Sequence, residues 1–456
     1  MALFLCLLQA LQAILYIAAL GVNFGQHVLV PGALFWSGDL SYHLQLNGKL
    51  MASRIGVAVA VRKVAAKAFV EPRPYPIPRS LLTTDWQRVV NDPEVHIVAE
   101  LVGGTTIART MILSALRLGK PVITANKALL SAHGEELFAA AKKHGTNLYY
   151  EASVCGGIPI IKSLREGFVG NRINALYGIV NGTCNYILTR MKQEGADFAA
   201  VLKDAQQHGY AETPPDLDID GWDSQHKIGI LASLAHGFWV NPKKIYVEGI
   251  RHLSVLDIKF AEQLGYTVKL LGIVKKLAGR CRVQVSVYPT LIPNSHVLAS
   301  VNQVFNAVFV RGDVVGDTLF YGRGAGKDAT ASAVLSDLAD AALDLKFGTK
   351  HRVPPFVPHE GAGAVAPIAD VVSQYFVRLD VVDRPGVLAK IAAIFGAARI
   401  GISSVIQPEG HEGASVPLIF MLHYATNGAV TGALQRIGRL PVVKSRPVML
   451  RVENFE

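Results

Sequence analysis

Four short apolar runs at 55–61, 95–101, 121–124 and 147–150 are separated by helix-periodic stretches at 105–119 and 131–145. Strands that alternate with helices join one layer through crossover connections, so the pattern predicts a parallel sheet with helices packed on its faces. Ligands of such sheets lie beyond the carboxyl ends of the strands. Gly103-Gly104-Thr105 and Ala125-Asn126-Lys127 therefore fall where a dinucleotide would lie.

At 456 residues the chain has room for about three domains, and half of its residues are hydrophobic. Lys plus Arg number 45 against 35 for Asp plus Glu, but apart from Arg62, Lys63, Lys67 and Arg73 the cations are scattered. That distribution suits small anionic ligands and excludes a nucleic-acid groove. Cys6, Cys155, Cys184 and Cys281 form no CxxC pair, so neither a zinc site nor a disulfide framework is indicated, and a reducing cytoplasm is the expected location. The first charged side chain is Asp39. Residues 1–20 are long enough for a membrane span, yet they lack a basic leader, a clear cleavage site and flanking cations. The competing reading is a buried first strand.

From 152 to about 322 the rhythm shifts to longer mixed segments, with strands expected at 175–180 and 282–288 and a helix at 227–236. Residues 322–332, Gly-Arg-Gly-Ala-Gly-Lys-Asp-Ala-Thr-Ala-Ser, precede an Ala/Leu/Asp-rich helix to about 345. Glycines there suit close backbone approach to a cofactor and anion binding at a helix start, or an ordinary helix entry. A Pro/Gly/Ala-rich stretch reads as a linker, and the remainder has a βαββαβ pattern. The expected division is 1–150, with 1–54 atypical and 322–345 returning to it, then 151–321, a linker at 352–370, and 371–456.

Residues 209–227 gather Glu212, Asp218, Asp223 and Lys227 at the entrance to an apolar helix. Pro214 and Pro215 keep the first half out of that helix, while Asp223 and Lys227 are an i, i+4 pair on one face. Such a cluster can bind the amino group of a small amino acid and pass a proton to its side-chain oxygen. It can equally be a solvated helix start with a surface ion pair.

These segments bring out a resemblance. From about residue 55 the chain resembles a homoserine dehydrogenase of the longer bacterial type. The resemblance is carried in order by 124–130 (Thr-Ala-Asn-Lys-Ala-Leu-Leu), 150–161, 178–188 (Gly-Ile-Val-Asn-Gly-Thr-Cys-Asn-Tyr-Ile-Leu), 209–227 and 322–335. Asp-Arg-Pro-Gly-Val-Leu at 383–388 is similar to the turn of ACT modules. The resemblance implies an α/β protein with a Rossmann-like dinucleotide-binding domain, an α+β catalytic and dimerisation domain, and a C-terminal ferredoxin-like ACT domain. It implies interconversion of L-homoserine and L-aspartate 4-semialdehyde with a nicotinamide cofactor, on the route to threonine, methionine and isoleucine. By motif position Lys227 transfers the proton, Asp223 orients it, and Lys127 stands at the cofactor–substrate junction. Glu212 and Asp218 hold the substrate. Gly104, Thr105, Asn126, Lys127, Gly209 and Gly326 are expected at the cofactor. Glu151, Val154, Gly156 and Ile158 match a turn that can hold a monovalent cation such as sodium or potassium through backbone oxygens, with a cation-free turn as the alternative. A homodimer, and an amino-acid effector such as threonine on the ACT domain, are also implied.

One part departs from the pattern. The family begins with a strand and a Gly-x-Gly-x-x-Gly turn, whereas the nearest match here is Ala19-Leu20-Gly21-Val22-Asn23-Phe24-Gly25, and the stretch from Trp36 does not read as the long amphipathic helix that should follow. A misread gene start, a divergent fingerprint and a lost cofactor site all remain open; the last would leave a non-catalytic amino-acid-sensing protein. Arg62 and Lys63, read at the end of the 55–61 strand, favour NADP over NAD by offering cations to a 2′-phosphate.

Overall fold

The computed structural model describes residues 16–23, 36–66, 77–277, 282–350, 363–408 and 415–455, with side chains from residue 42 onward. The first layer runs β1 Tyr16–Asn23, α1 Trp36–Ile55, β2 Ala58–Ala66, β3 Leu82–Thr83, α2 Gln87–Val90, β4 Ile97–Glu100, α3 Ile107–Arg117, β5 Val122–Thr124, α4 Lys127–Lys143 and β6 Leu148–Tyr149. Its six strands lie in the order β3-β2-β1-β4-β5-β6. Alternation along each strand sorts side chains to the two faces. Val98, Val122 and Leu148 pack toward α3 and α4, and Ile97, Ala99, Ile123 and Tyr149 pack into the cluster on the opposite face.

The parallel sheet is present in β4, β5 and β6, but β1 runs antiparallel to both β2 and β4. The opening therefore does form a strand, as one of the two readings had it, while residues 1–15 and Gly25 lie outside the described residues. Its reversed direction has a consequence for the fingerprint. Ile17 pairs with Glu100 and Leu20 with Ile97, so the chain approaches Gly21 while moving away from the carboxyl end of β4. Gly21 pairs with Ala60 and is not at the Gly103–Lys127 corner.

Two boundaries differ from expectation. The stretch from Trp36 is a 20-residue helix, because Leu44, Met51 and Ile55 recur at helical spacing and pack into one core cluster. Gly56, at φ +66°, breaks it, so β2 begins at Ala58 and continues to Ala66. Arg62 and Lys63 are thereby mid-strand residues. Helix α4 starts four residues earlier than its apolar period suggested, because the Asn126 side chain accepts the Leu129 N–H and caps it.

The second layer is an eleven-stranded sheet. It contains β7 Ile173–Ile179, β8 Tyr246–Val247, β9 Tyr266–Lys276, β10 Arg282–Pro293, β11 Phe305–Gly312, β12 Gly316–Arg323, β13 Ala364–Val365, β14 Val372–Val382, β15 Ile402–Ile406, β16 Ser415–Thr426 and β17 Val448–Val452. Its main path is β12-β11-β7-β9-β10-β17-β14-β16-β15, with β8 and β13 paired to β10. Across it lie α5 Gly182–Glu194, α6 Phe198–Gln207, α7 Asp216–Ile219, α8 Trp222–His236 and α9 Val255–Gln263. Helix α10 Lys327–Phe347 leaves this layer and returns to the first sheet, where Val334, Leu338 and Ala341 share a core with Val61, Ile97 and Ile123.

The last unit is β14, α11 Val387–Ala397, β15, β16, α12 Asn427–Ile437 and β17, the βαββαβ order read from the sequence. Its strands lie fourth, first, third, second. Its joint with the rest is continuous, since β17 pairs parallel with β10 at Thr290–Arg451 and Leu291–Val452. Part of the expected linker is docked as well: Ala364 and Val365 pair parallel with Arg282 and Val283, on the edge of β10 opposite β9.

Candidate active site

Helix α8 brings the acidic run to a point. Gly221, at φ +88°, turns the chain into the helix, and a Cβ there would stand 3.0 Å from Val247. One turn on, Lys227 Nζ donates to Asp223 Oδ2 at 2.7 Å and to the Val180 carbonyl at 2.7 Å. The other carboxylate oxygen, Asp223 Oδ1, meets Lys127 Nζ at 2.5 Å. Two lysines that are 100 residues apart thus share one carboxylate where the first sheet meets the second layer. Lys227 and Asp223 are buried, whereas the Lys127 side chain keeps 34% of its exposure and can reach a ligand.

Charge fixes the protonation here. Burial pushes the Asp223 carboxyl up, but Lys227 and then Lys127 outweigh it and hold it well below the usual carboxylate range. Burial also disfavours the Lys227 ammonium, and Asp223 more than offsets that, raising it above an ordinary lysine. Asp218 is raised, first by burial, with the charges of Asp223 and Glu212 adding to it against a hydrogen bond from Asn181.

Asn181 is a residue that the sequence reading missed. Its Nδ2 donates to Asp218 Oδ1 and to Asp223 Oδ2, both at 2.8 Å, while its Oδ1 accepts the Cys184 N–H and caps α5. The signal was available, since Asn181 lies within the 178–188 segment, but only the fold shows that its amide bridges two carboxylates 37 and 42 residues away. Of the other acids in the run, Asp216 and Asp220 are tied to Arg251, and Glu212 stands exposed beside Asp218.

The expected cofactor corner also assembles. Gly103 and Gly104 both have left-handed backbone, φ +76° and +71°, and a Cβ on either would meet nothing within 4 Å. Asn126 Nδ2 donates to the Gly104 carbonyl at 2.7 Å, so the loops after β4 and β5 are joined just before Lys127. Thr105 follows this turn. Open glycine backbone beyond the carboxyl ends of parallel strands is a cradle that fits a dinucleotide. Gly326, at φ +107° with open space around it, starts α10. The other glycines of that run answer to packing: a Cβ on Gly324 would stand 2.0 Å from Asn306, and one on Gly322 3.2 Å from Ile158. Gly209, at φ +72°, lies exposed in the turn after α6, and its amide donates to Gln206 O.

Arg62 and Lys63 do not behave as expected. Being mid-strand in β2, they pair with Glu94 and Asp92, which precede β4, and their heads are not at the carboxyl end where a ribose phosphate would lie. The turn at 151–158 is buried at Glu151, Val154, Gly156 and Ile158. The Glu151 carboxylate accepts the N–H groups of Ile161 and Lys162, and its carbonyl accepts the Val154 N–H at 3.4 Å within the turn. Its carboxyl is pushed up to about 7 by burial. Cys155 within the turn is buried and pushed up to about 11 by the same cause, which makes it inert packing. Among the described residues no cluster of His, Cys, Asp and Glu is arranged to hold a metal ion, and no helix is long and apolar enough to cross a membrane.

Comparisons with known proteins identify the family. Residues 159–339 match the family model for homoserine dehydrogenase, and residues 45–151 match that for the homoserine dehydrogenase NAD binding domain. The second match begins inside α1, so the likeness starts about ten residues before the point read from the sequence. The homoserine dehydrogenase of Pseudomonas aeruginosa is 40% identical over 419 residues, covering 90% of this chain and 95% of its own length. A crystal structure of a homoserine dehydrogenase from Thiobacillus denitrificans superposes with a TM-score of 0.85 at 40% identity, covering 92% of this chain and 96% of that one. A hyperthermophilic archaeal homoserine dehydrogenase solved in complex with NADPH is more distant, with a TM-score of 0.51, 28% identity and coverage of 58% and 76%. With both layers matched in order and nearly the whole length shared, the chain belongs to the homoserine dehydrogenase family.

Proposed function

We propose that this chain is an oxidoreductase that interconverts L-homoserine and L-aspartate 4-semialdehyde, with Lys227 as its proton-transfer group. The observation that carries the assignment of residues is the Lys127–Asp223–Lys227 triplet beside the open Gly103–Asn126 corner. The Gly103–Asn126 corner would hold a nicotinamide nucleotide, whose chemistry would be to supply or accept the hydride. Lys227, held as an ammonium, gives a proton to the aldehyde oxygen during reduction, and in the reverse direction its neutral amine takes the proton of the hydroxyl. Asp223 orients Lys227 and Lys127 together. Lys127, partly exposed, meets the substrate carboxylate, while Asp218 and Glu212 receive the substrate ammonium. Gly104, Thr105, Asn126 and Gly326 are the cofactor contacts this geometry favours, with Gly209 at the rim of the acidic loop.

NADP remains the preferred form, now on the strength of the archaeal relative's NADPH complex rather than of Arg62 and Lys63. The buried 151–158 turn, rich in backbone oxygen, suits a sodium or potassium ion. The first layer serves as the dinucleotide-binding domain together with α10, residues 151–321 as the catalytic and dimerisation domain, and 371–456 as an ACT domain that senses an amino acid such as threonine. A homodimer in the cytoplasm completes the reading. Purified protein should reduce NADP in a homoserine-dependent way, and Lys227→Ala should abolish turnover while leaving nucleotide binding intact. Turnover that survives Lys227→Ala would overturn the assignment of the proton-transfer group. Wild-type protein that binds no nucleotide would favour the non-catalytic sensor, for which the position of Gly21 away from the corner is the supporting observation.

A further inference from the structure

Glu100 ends β4 with its carboxyl fully buried, and among the described residues no lysine or arginine pairs with it. Its carboxyl oxygens are held by hydrogen-bond donors. Oε1 accepts the N–H of Val102 at 2.7 Å and of Gly103 at 3.2 Å, and Oε2 accepts the Thr124 hydroxyl at 2.7 Å. These partners belong to the two loops that form the glycine corner. Thr124 Oγ1 in turn accepts the Asn126 N–H at 3.0 Å, and Asn126 holds the Gly104 carbonyl and caps α4, whose first residue is Lys127.

We propose that Glu100 is a positioning residue for the nucleotide: its carboxylate ties the Gly103–Gly104 turn to the Thr124–Asn126 turn and holds the corner in its binding shape before the cofactor arrives. Two consecutive left-handed glycines have many other conformations available, and a loop that must be ordered at binding loses affinity to that ordering. A buried carboxyl without a cation is costly, which burial registers by pushing Glu100 upward. Three converging donors offset part of that cost. A role limited to packing would be served by an apolar side chain at this position without any such desolvation penalty.

The inference rests on the reading of this corner as the nucleotide site, and the test separates the two. NADPH binding is measured by fluorescence titration, with thermal midpoints and the homoserine KM, for wild type, Glu100→Ala and Glu100→Gln. Wild type should bind NADPH, and a failure there would sink the site itself. Glu100→Ala should weaken NADPH at least tenfold while the homoserine KM changes less than twofold. Glu100→Gln keeps an oxygen for Val102 and Gly103 but turns an amide toward the Thr124 side, so it should weaken NADPH three- to tenfold. Wild-type affinity in a folded Glu100→Ala protein overturns the proposal. Should that variant not fold, wild-type affinity in Glu100→Gln does the same.

Discussion

Two ammonium groups on one carboxylate make the chemistry at the residue scale depend on pH and direction. Lys227 has its proton affinity raised by Asp223, so the neutral amine needed to oxidise homoserine is populated only as pH climbs into the alkaline range. Turnover in the oxidative direction should rise steadily with pH, and reduction of the aldehyde should fall over the same range; parallel profiles in the two directions would contradict the role of Lys227. Asp223→Asn removes the charge that raises Lys227. Its oxidative limb should move to lower pH, and maximal turnover should drop by about 10²-fold as both lysines lose their anchor. An unshifted limb would show that Asp223 does not set the proton affinity. The i, i+4 spacing of Asp223 and Lys227 makes that pair visible in the sequence, and the strand pattern places Lys127 at the cofactor corner, but the carboxylate that the two lysines share is a fact of folding.

Elements position the acidic loop through a contact of backbone on backbone. A Cβ on Gly249 would stand 2.1 Å from the Ile219 carbonyl and 2.4 Å from the Asp220 Cα, and the Ile250 N–H donates to Ile219 O. The 246–250 segment thus presses on α7, which carries Asp218. Gly249→Ala has no room and should push the loop outward, costing about 1–3 kcal/mol of stability and raising the homoserine KM. The measurement is the steady-state KM beside the thermal midpoint; a lower midpoint with an unchanged KM would mean that the segment supports the fold but not the substrate. Apolar periodicity revealed that the strand and helix elements exist. Their ends are set by caps and breaks such as Asn126 and Gly56, and this is why β2 starts three residues later than its apolar run suggests and carries Arg62 and Lys63 mid-strand instead of at its end.

The whole molecule is held together across the β10–β17 joint by two buried arginines. Arg451, 1% exposed, donates to Glu248 at 2.9 Å and lies over the Tyr288 ring at 4.3 Å, and Arg378 pairs with the Asp257 carboxylate at 2.7 Å. Arg451→Met leaves Glu248 with the His252 ring at 3.3 Å but without its arginine, and should cost about 3 kcal/mol, read as a lower urea midpoint. An unchanged midpoint would show that the joint contributes little. Glu248 lies in the segment that presses on the acidic loop, so the C-terminal unit and the substrate loop share a physical support. The sequence by itself determined most of the kinds of element, the βαββαβ tail and the Asp223–Lys227 pair, because periodicity and side-chain type are local properties. The tertiary structure alone decided which charges meet, that β1 runs against its neighbours, and that Glu100 and Asn181 hold the site. Those outcomes depend on long-range pairing and burial, which join groups distant in the chain and give a carboxylate its partners and its proton affinity.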